Sequence, residues 1–209
     1  MSDRDECGAI RDAVALRCSY SPPGERTVRK VLDRLDSHMR AFIALSPFAV
    51  IGSSSDAGGD VTPRGDRPGF VHVLDECTLL VPDWPGNNRL DTLTNILSNP
   101  KVGMLFLVPG IDETLRVNGD ATVTVDPLLV RRWDTAGRHP LSVIRVSVRE
   151  AYLHCAKALI RSRLWYGEYA VDRARFPSYG QMLKDQILTT QTAAEIQAAV
   201  EDTYRTKLY

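Results

Sequence analysis

Nothing in the 209 residues approaches the run of about 18 apolar side chains that a membrane-spanning helix needs. The polar start Met1-Ser-Asp-Arg-Asp-Glu-Cys also lacks the apolar core of a secretory signal, so a cytoplasmic location without membrane contact is expected. Cysteine is sparse. Cys7, Cys18, Cys77 and Cys155 stand far apart with no C-x-x-C pair, which argues against both a zinc knuckle and a disulfide framework. The four histidines, His38, His72, His139 and His154, show no ligand spacing, so no metal site is expected. Charge of one sign is lacking too: 26 Lys and Arg balance 26 Asp and Glu, so no global field draws the chain to nucleic acid. Any anion site must be local.

What is present is ordinary for a globular chain, with 44% apolar residues, enough to fill one core. Residues 1–24 carry Pro22, Pro23 and Gly24 and a weak apolar pattern, which predicts an arm with one short helix. From Glu25, Val28, Val31, Leu32, Leu35, Met39, Phe42 and Ile43 recur at three and four, which predicts a single helix ending near Ser46-Pro47. The period then falls toward two. Strands are expected at Phe48-Ala-Val-Ile-Gly-Ser and Val61-Thr-Pro-Arg-Gly, joined by the turn chemistry of residues 54–60. Pro63 removes a ladder donor, so the second of these should lie at an edge or bulge. Further strands are expected at residues 69–74, 78–82, 102–108, 113–124 and 142–152. A helix through Leu90, Leu93, Ile96 and Leu97 should stop at Asn99-Pro100, because the residue before proline avoids the α region. Helical stretches at 154–165 and 192–205 close the chain. Strands without regular βαβ alternation point to an antiparallel barrel. The domain reading is an arm (1–24), one domain (25–166) and a helical tail (167–209) packed on the barrel or on a dimer partner.

The densest chemistry lies in Gly86-Asn-Asn-Arg-Leu-Asp, where a strand enters a loop at a helix start. Free backbone N–H groups, the positive end of the helix dipole and Arg89 would converge there as a phosphate cradle. By the residues alone, Asn88 can equally be a helix cap and Arg89 a solvated side chain. Lys157 and Arg161 can form a wet helix face, and Trp84 and Trp165 can be packing residues. Arg64 can be a surface partner of Asp66, and Arg116 can simply face solvent.

The stretch from Asn88 to Phe106, ending Asn-Pro-Lys-Val-Gly-Met-Leu-Phe, resembles the central motif of the pyridoxamine 5'-phosphate oxidase-like split barrels. Phe48-Ala-Val-Ile-Gly-Ser with Asp60-Val-Thr-Pro-Arg-Gly-Asp66, Leu115-Arg-Val-Asn-Gly-Asp-Ala, and His154 to Trp165 are similar to further pieces of that family in the same order, so the likeness spans about residues 45–166. It implies a mainly β fold with flanking helices, a six-stranded antiparallel Greek-key split barrel, and FMN at the seam of a homodimer. It also implies flavin contacts from Arg64, Asn88, Arg89, Leu90 and Thr92, from Thr114 or Arg116 toward the neighbouring subunit, and from Lys157 and Trp165. The Arg/His pattern that binds substrate phosphate in the vitamin B6 oxidases is not found after Trp165, so the resemblance is to an uncharacterised FMN-binding branch. The function it implies is a flavin-dependent oxidoreductase for a small molecule, with no catalytic residue identified. The alternative is a non-catalytic carrier or sensor of FMN, F420 or heme.

Overall fold

The computed structural model describes residues 9–134 and 137–207; the first eight residues of the arm, two of the loop before β7 and the last two of the tail lie outside it. In chain order the elements are α1 (Ala13–Cys18), α2 (Glu25–Arg29), α3 (Ser37–Leu45), β1 (Phe48–Ser55), β2 (Gly58–Gly65), β3 (His72–Asp75), β4 (Thr78–Asp83) and α4 (Asp91–Ser98). They continue with β5 (Lys101–Val108), β6 (Ile111–Thr124), α5 (Pro127–Val130), β7 (Ser142–His154), α6 (Lys157–Ser162), α7 (Tyr179–Ile187) and α8 (Ala193–Thr206).

All the strands join one antiparallel sheet in the order β2-β1-β5-β6-β7-β4-β3. The sheet therefore has the seven strands that the residue pattern predicts, one more than the six implied by the resemblance, with the four-residue β3 lying outside β4, and it does not close through backbone pairing. Pro63 sits on an edge strand, as its missing donor requires.

Alternation builds the interior. In β5, Val102, Met104, Phe106 and Val108 are buried while Gly103, Leu105 and Leu107 face the other way. The inward residues of β1, β4, β6 and β7 join them in one core, and α3 supplies Met39, Phe42 and Ile43 from above. Each large side chain fully buried here contributes about 1.5–3 kcal/mol. A second cluster, Leu80, Val130, Trp133 and Val143, lies on the opposite face of β4 and β7.

The single helix expected from residue 25 is two helices with a break. Leu32 instead exchanges backbone hydrogen bonds with Ala151 of β7 (3.0 and 2.7 Å), and Asp36 starts α3 by accepting the Met39 N–H at 2.8 Å. Long-range pairing overrides a local apolar rhythm. The helix expected over 154–165 shrinks to α6, since His154 still pairs with Thr114 in the sheet.

Helices α7 and α8 pack on each other. Gly180 makes this possible: a Cβ there would lie 2.3 Å from the Ala193 carbonyl oxygen. A capping box between Thr192 and Glu195 starts α8. Among the described residues no helix is long and apolar enough to cross a membrane.

Candidate functional site

The strands deliver one polar cavity of about 390 Å³ at the rim of the sheet, between β2, the end of β4 and the start of α4. Arg64 comes from the edge strand β2 and meets Asp83, the last residue of β4, at 2.5 Å. Both side chains are largely buried, at 20% and 12% exposure, so the pair is screened little by water. It bridges β2, one edge of the open sheet, to a strand adjoining the other edge. One donor of the guanidinium, Arg64 Nε, is buried and has no acceptor among the described residues.

The other wall is the loop into α4. Asn88 and Leu90 both take positive φ (56° and 60°), a conformation costly for a branched side chain such as leucine. Leu90 occupies the cap position of α4, where it has no oxygen to offer, and no side chain caps the helix. Asn88 is thus not the cap, and the first amides of α4 are left without a capping acceptor at the positive end of the helix dipole. The Asn87 side chain accepts the Arg89 N–H at 3.0 Å and shapes the turn.

The electrostatics are not those of a purely basic cradle. Arg89 Nε donates to Asp91 at 2.7 Å, and the Thr92 hydroxyl donates to Asp60 at 3.3 Å. Two guanidinium groups therefore share the cavity with three carboxylates, Asp60, Asp83 and Asp91.

Five of the expected contacts, Arg64, Asn88, Arg89, Leu90 and Thr92, line this one cavity. The other four do not line it. Thr114 is buried on β6 opposite His154. Arg116 is exposed, with its guanidinium 5.8 Å from the Tyr152 ring centroid. Lys157 opens α6 and is exposed, and the half-buried Trp165 donates its indole N–H to the Ile111 carbonyl at 3.0 Å. These four belong to a different corner, where β6 starts and β7 ends. The sequence reading missed Asp83 as the partner of Arg64, since only the fold brings two residues 19 apart together.

Beside the cavity, His72 of β3 stacks on Trp133 with centroids 4.1 Å apart and planes at 13°. Burial, then the charge of Arg132, lowers the His72 pKa below its ordinary 6.5. The unfolded chain then binds this proton more readily, so the stabilisation from neutral His72 is complete above pH 6.5 and is lost as pH falls through the folded value. The exposed His154 is shifted the same way, by desolvation and then by Lys30 and Arg116. The thermal midpoint should fall on acidification below pH 6.5, and His72→Gln should flatten that fall in part. Among the described residues no group of His, Cys, Asp and Glu is arranged to hold a metal ion.

An open, mainly β domain carrying a polar cavity at a helix start on its rim is the class that fold and site define. The chain belongs to the pyridoxamine 5'-phosphate oxidase family, whose model matches residues 35–155. Comparison with curated proteins finds no match. Among solved structures, HupZ from Group A Streptococcus is 15% identical with a TM-score of 0.48, over 57% of this chain and 93% of that one. The FAD binding protein from Mycobacterium smegmatis is 14% identical with a TM-score of 0.41, over 59% and 97%. General Stress Protein 26 from Bacillus anthracis str. Sterne is 15% identical with a TM-score of 0.41, over 56% and 93%.

Proposed function

We propose that the protein binds FMN with its phosphate between the start of α4 and Arg64, and serves as a flavin-dependent oxidoreductase for a small molecule. One observation carries this reading: uncapped helix amides, Arg89 and a residue with a buried, unpartnered guanidinium N–H share one cavity. A phosphate ester offers acceptor oxygens to all three kinds of donor. The residues present fit the group.

The bound flavin would supply the chemistry of taking up and passing on a hydride. The chain's own part is to hold and orient. Arg64 and the first amides of α4 fix the phosphate end, and Trp84, which lines the cavity, limits access of water. Thr114, Arg116, Lys157 and Trp165 do not line this cavity within one copy, so in this reading a second copy of the chain delivers them to the ring. The outward positions of β1 and β5, including the half-buried Val50, Leu105 and Leu107, give such a homodimer an apolar face to cover.

The acidic residues make a distinguishing prediction. A phosphate monoester of roughly two negative charges must take Arg89 from Asp91, which costs affinity. Asp91→Asn should tighten FMN several-fold, read from quenching of flavin fluorescence during titration. The reading as a whole is tested by adding FMN to the purified chain and desalting it. A retained visible flavin spectrum on a dimer supports it, and colourless monomer removes it.

A further inference from the structure

The cradle is not the end of the cleft. A cavity of about 250 Å³ adjoins it, sharing Pro63, Arg64 and Trp84 with the cradle. A third, of about 230 Å³, continues from there toward β3 and shares Asp66, Phe70 and Trp84 with the second. The far chamber differs in character from the cradle. Its walls include Phe70, Trp84 and Trp133, and the exposed Arg67 and Arg132 stand at its rim.

These walls are held in place before any ligand arrives. Trp133 is 9% exposed, its indole N–H donates to the Phe70 carbonyl at 2.7 Å, and its ring lies on His72. Phe70 is 6% exposed. The chamber is therefore preformed, and its volume, below that of drug-sized pockets, suits a small ligand.

The charges select the ligand's polar group. Two carboxylates line the chamber as well, each held by a backbone amide: Asp66 accepts the Arg67 N–H at 2.6 Å and Asp134 that of Gly137 at 3.1 Å. Among the described residues neither the Arg67 nor the Arg132 guanidinium enters an ion pair or a hydrogen bond. Aromatic faces with two uncommitted guanidinium groups match a flat ring that ends in a carboxylate.

We propose that this chamber binds a planar aromatic carboxylate of one or two fused rings, the ring against Phe70, Trp84 and Trp133 and the carboxylate on Arg67 and Arg132. The site stands without the flavin reading. If that reading also holds, Trp84, common to all three cavities, puts the acid at the far end of the cleft from the phosphate, as a substrate would be.

Calorimetric titration of the full-length, flavin-free chain with indole-3-carboxylate and with its uncharged isostere indole-3-carboxamide tests the site. The carboxylate should bind about tenfold tighter than the amide. The double variant Arg67→Gln with Arg132→Gln, whose two positions are exposed, should erase that preference while keeping the wild-type thermal midpoint and FMN affinity. Equal affinity for the two probes, no heat from the carboxylate at millimolar concentration, or unchanged preference in the double variant would overturn the proposal. So would competitive displacement of the acid by FMN, because the chamber would then be part of the flavin site. A chain that fails to take up FMN but still prefers the carboxylate sinks the flavin reading and leaves this one standing.

Discussion

Arg64→Ala should lower stability by about 3–5 kcal/mol, because it strands the largely buried Asp83 carboxylate without its cation. In a chain of this size that corresponds to a thermal midpoint lower by roughly 10 °C or more. The penalty comes mainly from the abandoned charge, not from the attraction lost. Exchanging both partners for apolar residues, Arg64→Met with Asp83→Leu, should therefore recover most of the stability. It should not recover FMN binding, since the guanidinium is gone in both variants. The pair of variants separates the role of Arg64 in joining the sheet's two ends from its role in the cradle. Thermal unfolding of both, followed by circular dichroism, makes the comparison. A single variant as stable as the wild type would show that the bridge between β2 and β4 contributes little.

Gly119→Ala should be damaging for a steric reason. Gly119 lies on β6 where the register with β7 shifts, Asn118 pairing with Glu150 and Gly119 with Val148. An added Cβ would stand 2.2 Å from the Ser147 carbonyl oxygen and 3.0 Å from its carbon. Backbone cannot step aside as a flexible side chain can, so β6 and β7 must separate at the bulge. A cost of about 3 kcal/mol or more follows, a large part of the usual stability of a domain. Gly59→Ala, with open space around the same added atom, is the matched control and should fold like the wild type. Denaturant midpoints of the two variants give the contrast. Equal midpoints would mean that the bulge is soft.

What could be read in the sequence follows from how local each cause is. Pro63 announced an edge strand because a missing donor is a property of one residue, and the edge is where β2 lies. Asn99-Pro100 marked the end of α4 for the same kind of reason, and α4 stops at Ser98. The break after α2 was not legible. The apolar spacing of Val28, Val31, Leu32 and Leu35 fits a helix, and only the remote strand carrying Ala151 draws Leu32 out of it.

The site divides along the same line. The cluster from Asn88 to Thr92 is contiguous, so its contribution to one cavity could be inferred from the turn and the helix start. The joining of Arg64 to it depends on the fold bringing β2 to the end of β4, and in the sequence only the resemblance implies it. Its carboxylate partner was missed, as were Asp60 and Asp91, because a pattern of donors says nothing of which acids already occupy them. The resemblance groups Thr114, Arg116, Lys157 and Trp165 with the helix-start residues, yet they form their own group within a single copy. In the proposed reading their meeting with a flavin depends on a second chain.

The most direct measurement is a side-by-side titration of the full-length chain with FMN and with riboflavin, which differ only in the phosphate. If the start of α4, Arg64 and Arg89 grip that phosphate, FMN should bind about a hundredfold tighter than riboflavin, and Arg89→Ala should remove most of the difference. Equal affinities for the two flavins, or an advantage for FMN that the loss of Arg89 leaves undiminished, would contradict the account.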